Sequence, residues 1–310
     1  NFSSKELTTM LVLSFPVSHH FVILFGENGS GRILKCLKNL RNLFTALICS
    51  IVSSFTYAQT VGMTDVEMIN LVVSYEMNQL CSPASDNNPN EWRVKETLML
   101  EIGQGVAHSY VVRERNKLFG QFQMLAQKNR WKIEMFQLHA LVGETYIGYP
   151  KKGKLMQVVD LDAAGVYKYT ESIPKIKWKM EAGQKDILGY NCQQATCTFR
   201  GRQYEVWFTT DIPLSYGPWK LQGLPGLILE AKDSKGEYHF TAVGIEKGKN
   251  DKKIQFYAEP IRDIKRNQAL KMEKMLHKDH GAFAADYGVT FRMEGGFEHM
   301  PVPYIPIELQ

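Results

Sequence analysis

Cys81, Cys192 and Cys197 are the side chains of this sequence with the most distinctive chemistry, because in an oxidising compartment cysteines pair. Cys192 and Cys197 are neighbours, but five residues along an extended strand put their Cα atoms ~16 Å apart on opposite faces, beyond the ~7 Å that a disulfide spans. Pairing of Cys81 with one of them is geometrically easier and leaves one buried thiol. The bland alternative is three free thiols packed as small hydrophobes. The same opposed facing removes Cys192 and Cys197 as a metal pair, and no second Cys pair or paired His completes a tetrahedron. His277 and His280, three apart on a helix, can approach a metal together with Asp279 or Asp286. They read instead as a solvated helix end, where the helix dipole favours histidine. No metal is expected.

Nucleophilic chemistry has no motif to rest on. The chain has no GxSxG, no HExxH, no Walker loop and no dinucleotide fingerprint, and Gly103-Gln-Gly105 is a lone turn signal. Ser215, His239 and Asp233 can be written down as a triad, yet any chain of this size offers such a set. No catalytic residue and no cofactor is assigned.

The elements that would carry any site are mostly strands. Short runs rich in β-branched and aromatic residues alternate with Gly, Pro, Asn and Asp, the strand-and-turn signature. Strands are expected over 69–75, 93–102, 144–149, 155–160, 176–180, 191–200, 202–209, 227–232, 237–245 and 253–258. Short links between them favour an antiparallel meander, since parallel pairs need crossover helices. In the hairpin from Asn191 to Thr209, Ala195, Cys197 and Phe199 alternate on one strand, and Tyr204, Val206 and Phe208 on the other, so one face is core. Apolar spacing gives helices over Asn116 to Lys128 and over Asp263 to Lys278. The fold class is therefore mainly β (α+β): a curved, half-barrel-like antiparallel sheet with about two helices packed on it.

Hydrophobic residues make up 44% of the 310, aromatics 11% and charged residues 22%, enough to bury a core. Net charge is +5, but Lys5, Arg32, Lys35, Lys38 and Arg41 against Glu6 and Glu27 supply +3 of it, leaving +2 beyond residue 58. That remainder lacks the positive field that nucleic-acid binding uses. From Lys35 to Tyr57 a basic stretch precedes an apolar one (LFTALICSIVSSF) and then Thr56-Tyr57-Ala58, the order of a secretory signal peptide. A membrane anchor needs ~20 apolar residues, and this run is shorter and holds Thr45, Ser50, Ser53 and Ser54. The expected organisation is upstream over-extended translation at 1–32, a signal peptide at 33–58 cleaved after Ala58, and one β-rich domain at 59–310. Its destination is the periplasm or the exterior, with no transmembrane anchor in the mature chain.

From Gly189 to Asp233 the chain reads GYNCQQATCTFRGRQYEVWFTTDIPLSYGPWKLQGLPGLILEAKD. This resembles the GLPGLI family, exported bacterial proteins of undetermined function named for the string at Gly223 to Ile228. ETLMLEIG at Glu96 to Gly103 and PIEL at Pro306 to Leu309 are weaker echoes. The resemblance implies a Gram-negative cell-envelope protein and carries no catalytic residues. Physically, Pro213 ends a strand because it cannot donate to a ladder. Tyr216, Pro218, Trp219, Leu224, Pro225 and Gly226 then form a rigid loop, with Pro225 and Gly226 suited to i+1 and i+2 of a type II turn. This loop either caps the core through Trp219 or anchors a partner. The functional expectation is a non-enzymatic envelope protein that binds a partner protein or an apolar small molecule. The alternatives are an envelope hydrolase or peptidase-like enzyme, and a structural accessory to an outer-membrane transporter.

Overall fold

The computed structural model describes residues 11–13, 21–23, 62–85, 89–118, 142–288 and 303–310. The chain divides into two units, 1–59 and 60–310. In the first, β1 (Leu11–Leu13) pairs antiparallel with β2 (Phe21–Ile23). The signal peptide expected at 33–58 lies outside the described residues.

Twelve strands of the second unit form one open sheet that is not closed into a barrel. One meander comprises β4 (Leu71–Ser82), β5 (Trp92–Ile102), β6 (Ala107–Val111), β7 (Glu144–Ile147), β8 (Lys154–Asp160) and β9 (Val166–Ser172). A second comprises β10 (Lys179–Ile187), β11 (Tyr190–Phe199), β12 (Arg202–Thr209), β13 (Leu227–Asp233) and β14 (Tyr238–Lys247). They join where β14 pairs antiparallel with β4, Tyr238 opposite Gln79 and Lys247 opposite Leu71. The short β16 (Arg262–Asp263) adds to β9 in parallel. A separate ribbon pairs β3 (Met63–Met68) with β15 (Lys253–Tyr257). Among the described residues, helices are α1 (residues 112–118), α2 (Arg266–Lys278) and α3 (His280–Asp286), with a 3-10 turn at Asp162–Ala164. The chain is thus mainly β with a few helices.

Local chemistry explains the sharp turns. The register of β11 on β12 sets Phe199 opposite Arg202, so the turn is Arg200-Gly201, both with positive φ (51° and 81°). Leu188-Gly189 does the same between β10 and β11 at 54° and 81°. Two positive-φ residues match the twist of flanking strands, and glycine holds the second without strain. Asp279 caps α3, its side chain accepting from the Ala282 N–H at 2.9 Å.

Both faces of the sheet are covered. On one, Ala195, Cys197, Phe199, Tyr204, Val206 and Phe208 of the hairpin are buried with Leu98, Leu100, Leu155 and Trp219 in the main core. On the other, Tyr146, Met156 and Val158 pack against Ile254 and Tyr257 of the ribbon and Leu118 of α1. Leu276 of α2 and Phe283 of α3 bury against Leu161 and Ala164.

Strands β3, β6, β9 and β16 were not expected from the sequence, and β10 runs to Ile187 rather than stopping at Met180. β10 is an edge strand whose side chains are largely exposed, so it has no apolar alternation to reveal it. Only the first part of the helix expected over Asn116 to Lys128 falls within the described residues, where residues 112–118 are helical.

Candidate functional site

A polar row crosses the sheet from β6 to β9. Ser109 lies opposite Thr145, Thr145 opposite Gln157 and Gln157 opposite Tyr169, so all four share a face. Thr145 donates to Gln157 Oε1 at 2.7 Å, and Gln157 donates from Nε2 to the Val142 carbonyl at 2.7 Å. Buried hydroxyls and amides on an otherwise apolar face are costly unless paired in this way.

The expected rigid loop spans this row. The Trp219 N–H donates to Ser109 Oγ at 3.1 Å, and Lys220 Nζ donates to the Tyr169 hydroxyl at 2.9 Å. Trp219 is 1% exposed, has φ of 56°, and packs its ring 5.6 Å from Phe199 and 6.4 Å from Tyr204. Pro218 and Leu224 are buried, Tyr216 is half-buried, and Pro225 is exposed. The positive φ values of this loop lie at Trp219 (56°) and Gly223 (96°) and not at Gly226, so the type II turn expected of Pro225-Gly226 is not formed. Gly226 is required for a different reason: a Cβ there would sit 1.9 Å from the Thr209 carbonyl oxygen. Gly226→Ala must push two backbones apart, and we expect a loss of about 2 kcal/mol in urea unfolding, in the range of strained core substitutions.

Lys220 is wholly buried and belongs to an ionic cluster. Its Nζ donates to Glu308 Oε1 and lies 3.5 Å from Glu171, while Glu308 Oε2 accepts from Arg266. Burial pulls the Lys220 ammonium below its usual value against the pull of Glu308. Burial alone would raise Glu308, but Lys220 and Arg266 outweigh it and hold that carboxyl low. The segment that brings Glu308 is held by Arg202, whose Nε donates to the carbonyls of Pro306 (3.2 Å) and Ile307 (3.1 Å). Tyr238 also donates to the Ile305 carbonyl at 2.6 Å.

Between this segment, α2 and the sheet lies a cavity of about 60 Å³, partly open to solvent, lined by Trp219, Tyr169, Ala269, Leu118, Glu273 and Glu308, among others. Glu273 is pushed up to about 7, first by burial, with the neighbouring Glu308 charge adding to it. Tyr304 donates to Glu273 Oε2 at 3.1 Å. One cavity wall therefore presents two carboxyls of opposite ionisation, the arrangement from which acid and base roles are built.

A second polar cluster lies on the opposite face. His108 is completely buried, its Nδ1 3.2 Å from Glu101 and its Nε2 3.2 Å from Glu144. Its ring stacks between Tyr110 (4.6 Å) and Tyr146 (4.0 Å). Glu144 also accepts from Arg115 at 2.8 Å, from Tyr146 at 3.1 Å and from Tyr257. Burial pushes the Glu144 carboxyl up, but Arg115 and His108 more than offset that and hold it low. Every acceptor of Glu144 is used inside the protein.

The other candidates from the sequence are not brought together. Cys81, Cys192 and Cys197 are all buried free thiols, and the possible pairing of Cys81 with one of the other two is not formed. Cys81 sits on β4, strands away from the β11 pair, in the core. Burial pushes Cys192 up to about 11 and Cys197 up to about 12, which keeps both thiols protonated and unreactive. Ser215 is exposed; His239 contacts Glu230 at 3.0 Å, and Asp233 accepts from Arg202 at 3.0 Å, so no triad assembles. His277 is buried, against its expected solvated position, with Nδ1 3.1 Å from the Pro303 carbonyl. His280 lies 3.3 Å from Asp162. Among the described residues no group of three His, Cys, Asp or Glu is placed to hold a metal ion.

Glu273 and Lys220 carried no signal in the sequence. Glu308 stands within the PIEL string, where its place between apolar residues marks it as a charge carried into a core.

Residues 132–269 match the family described as N-glycanase peptide, N-terminal domain. The matched stretch includes Gln157, Tyr169, Trp219 and Lys220. No curated protein matches the sequence. Solved structures of PNGF-II in P21 and C2 crystal forms are similar, each with a TM-score of 0.44 and 17% identity over 66% of this chain. The chain spans 33% and 32% of the length of those two proteins. The resemblance to the GLPGLI family, and the Gly223 to Ile228 string that carried it, is corrected accordingly: the family match is to the N-glycanase domain.

Proposed function

We propose that this chain is a glycan-directed hydrolase domain whose substrate class is N-glycosylated peptide or protein. The observation that carries this is the match of residues 132–269 to the N-terminal domain of an N-glycanase. The matched residues supply Tyr169 and Trp219 to the cavity lining, which also includes Glu273 and Glu308. The non-enzymatic binding of a partner or apolar ligand expected from the sequence is corrected by the same match, which favours the hydrolase alternative. The cavity chemistry agrees with that correction, since apolar carriers have no use for carboxyls in opposed ionisation states. The signal-peptide pattern at 33–58 supports an exported setting, where glycosylated substrates are met.

Incubation of the purified chain with an N-glycosylated peptide tests the proposal. Mass spectrometry is expected to show conversion of the glycopeptide to a lighter, glycan-free or glycan-trimmed peptide. An unchanged glycopeptide after prolonged incubation rejects the hydrolase assignment.

A further inference from the structure

We propose that the cavity between α2, the Trp219 loop and the 303–310 segment is a binding site for a small neutral amide, the acetamido group of an N-acetylated sugar. This rests on the glycan-directed function proposed above and names the part of the ligand that enters.

Size is the first constraint. A volume of about 60 Å³ admits roughly four water-sized groups at ~15 Å³ apiece, which is too little for a sugar ring and enough for the four heavy atoms of an acetamido group. The opening to solvent leaves the ring outside. Chemistry is the second constraint. Leu118, Ala269 and Trp219 are apolar members of the lining, chemistry suited to a methyl group. Glu273 supplies the polar part. Its Oε2 accepts from Tyr304 at 3.1 Å, and its Oε1 has no hydrogen-bond partner among the described residues. A neutral carboxyl so arranged carries its proton on Oε1 and donates it to an acceptor in the cavity, which an amide carbonyl provides.

The charged surroundings select against an anion of the same shape. Glu273 faces Glu308 and Tyr304 on the 303–310 segment, Tyr169 on β9, Asp160 on β8, Glu114 on α1 and Lys220 in the loop. Lys220 is committed to Glu308 and Tyr169, so among the described lining residues an entering carboxylate would meet carboxyls without a free cation. Glu273 rises to about 7 through burial, so its donor proton is present below neutrality and lost above it. Affinity for the amide therefore falls as pH rises through that value.

The test is a nuclear magnetic resonance titration of the full chain with acetamide, acetate, N-acetylglucosamine and glucose. At about pH 6 we expect acetamide and N-acetylglucosamine to bind at least tenfold more tightly than acetate and glucose, and the parent's affinity to fall roughly tenfold per unit above about pH 7. Glu273→Gln keeps a neutral donor, so its binding stays flat across that pH range. Glu273→Leu loses acetamide binding while its melting temperature is checked against the Gln variant. Equal binding of glucose and N-acetylglucosamine overturns the proposal. So does a folded Glu273→Leu protein that binds acetamide as the parent does, or a parent affinity that does not change with pH. Amide binding without glycopeptide conversion retires the hydrolase function alone, and conversion without amide binding retires this site alone.

Discussion

Replacement of Glu308 by leucine is expected to lower the stability of the fold by about 3 to 5 kcal/mol, the usual cost of removing one partner from a buried ion pair. Lys220 is the reason. It is wholly inside the protein, and without Glu308 its ammonium keeps only the Tyr169 hydroxyl and a longer approach to Glu171 at 3.5 Å. Arg266 loses its carboxylate at the same time. The double substitution Glu308→Leu with Lys220→Leu removes both charges and should recover much of the loss, because a buried pair is often replaceable by apolar packing. Urea unfolding of parent, single and double variants measures this. A double variant no more stable than the single would show that the pair contributes through something other than its charges. The pH dependence follows from the lowered Glu308 carboxyl. Its contribution is present above the ordinary carboxylate range and is lost as pH falls through its lower folded value. A Glu308→Leu protein should lack that acid-side loss.

Trp219→Ala is the second large effect, at about 3 to 5 kcal/mol for a buried aromatic truncated in a core. Trp219 is 1% exposed, touches Phe199 and Tyr204, and fixes the loop to β6 through its N–H on Ser109. The N–H contact survives truncation, so the loss reports packing and the void left behind. A Trp219→Ala protein that melts with the parent but fails to bind the amide probe would make this residue purely a cavity wall.

The hairpin from Tyr190 to Thr209 was legible in the sequence because both of its strands alternate cleanly between core and solvent. The rigidity of the Trp219 loop was suggested by the Pro and Gly on both sides of it, but whether Trp219 caps the core or anchors a partner was left open by the sequence. The order of the strands was not legible. A run of short links suggests one meander, and nothing in the residues of β4 or β14 announces that they pair across the chain. The site was less legible still. Glu273 sits on an otherwise ordinary amphipathic helix, and its perturbation comes first from burial and then from the Glu308 charge, both of which arise only in the tertiary fold. His108 lies on a strand whose apolar pattern is too short to be noticed, between carboxylates contributed by β5 and β7. Periodicity reports which face of an element is buried; it does not report which charges from distant elements meet there.

The seam between β4 and β14 also bears on how fast the molecule forms. Each meander closes through neighbouring hairpins, whose short loops cost little entropy and zip quickly. Joining Leu71 to Lys247 requires nearly the whole of the second unit to be gathered first. Such non-local pairing slows folding. Until it closes, β4 and β14 each present an unpaired ladder edge, which makes the half-assembled chain prone to misassociate with its own copies.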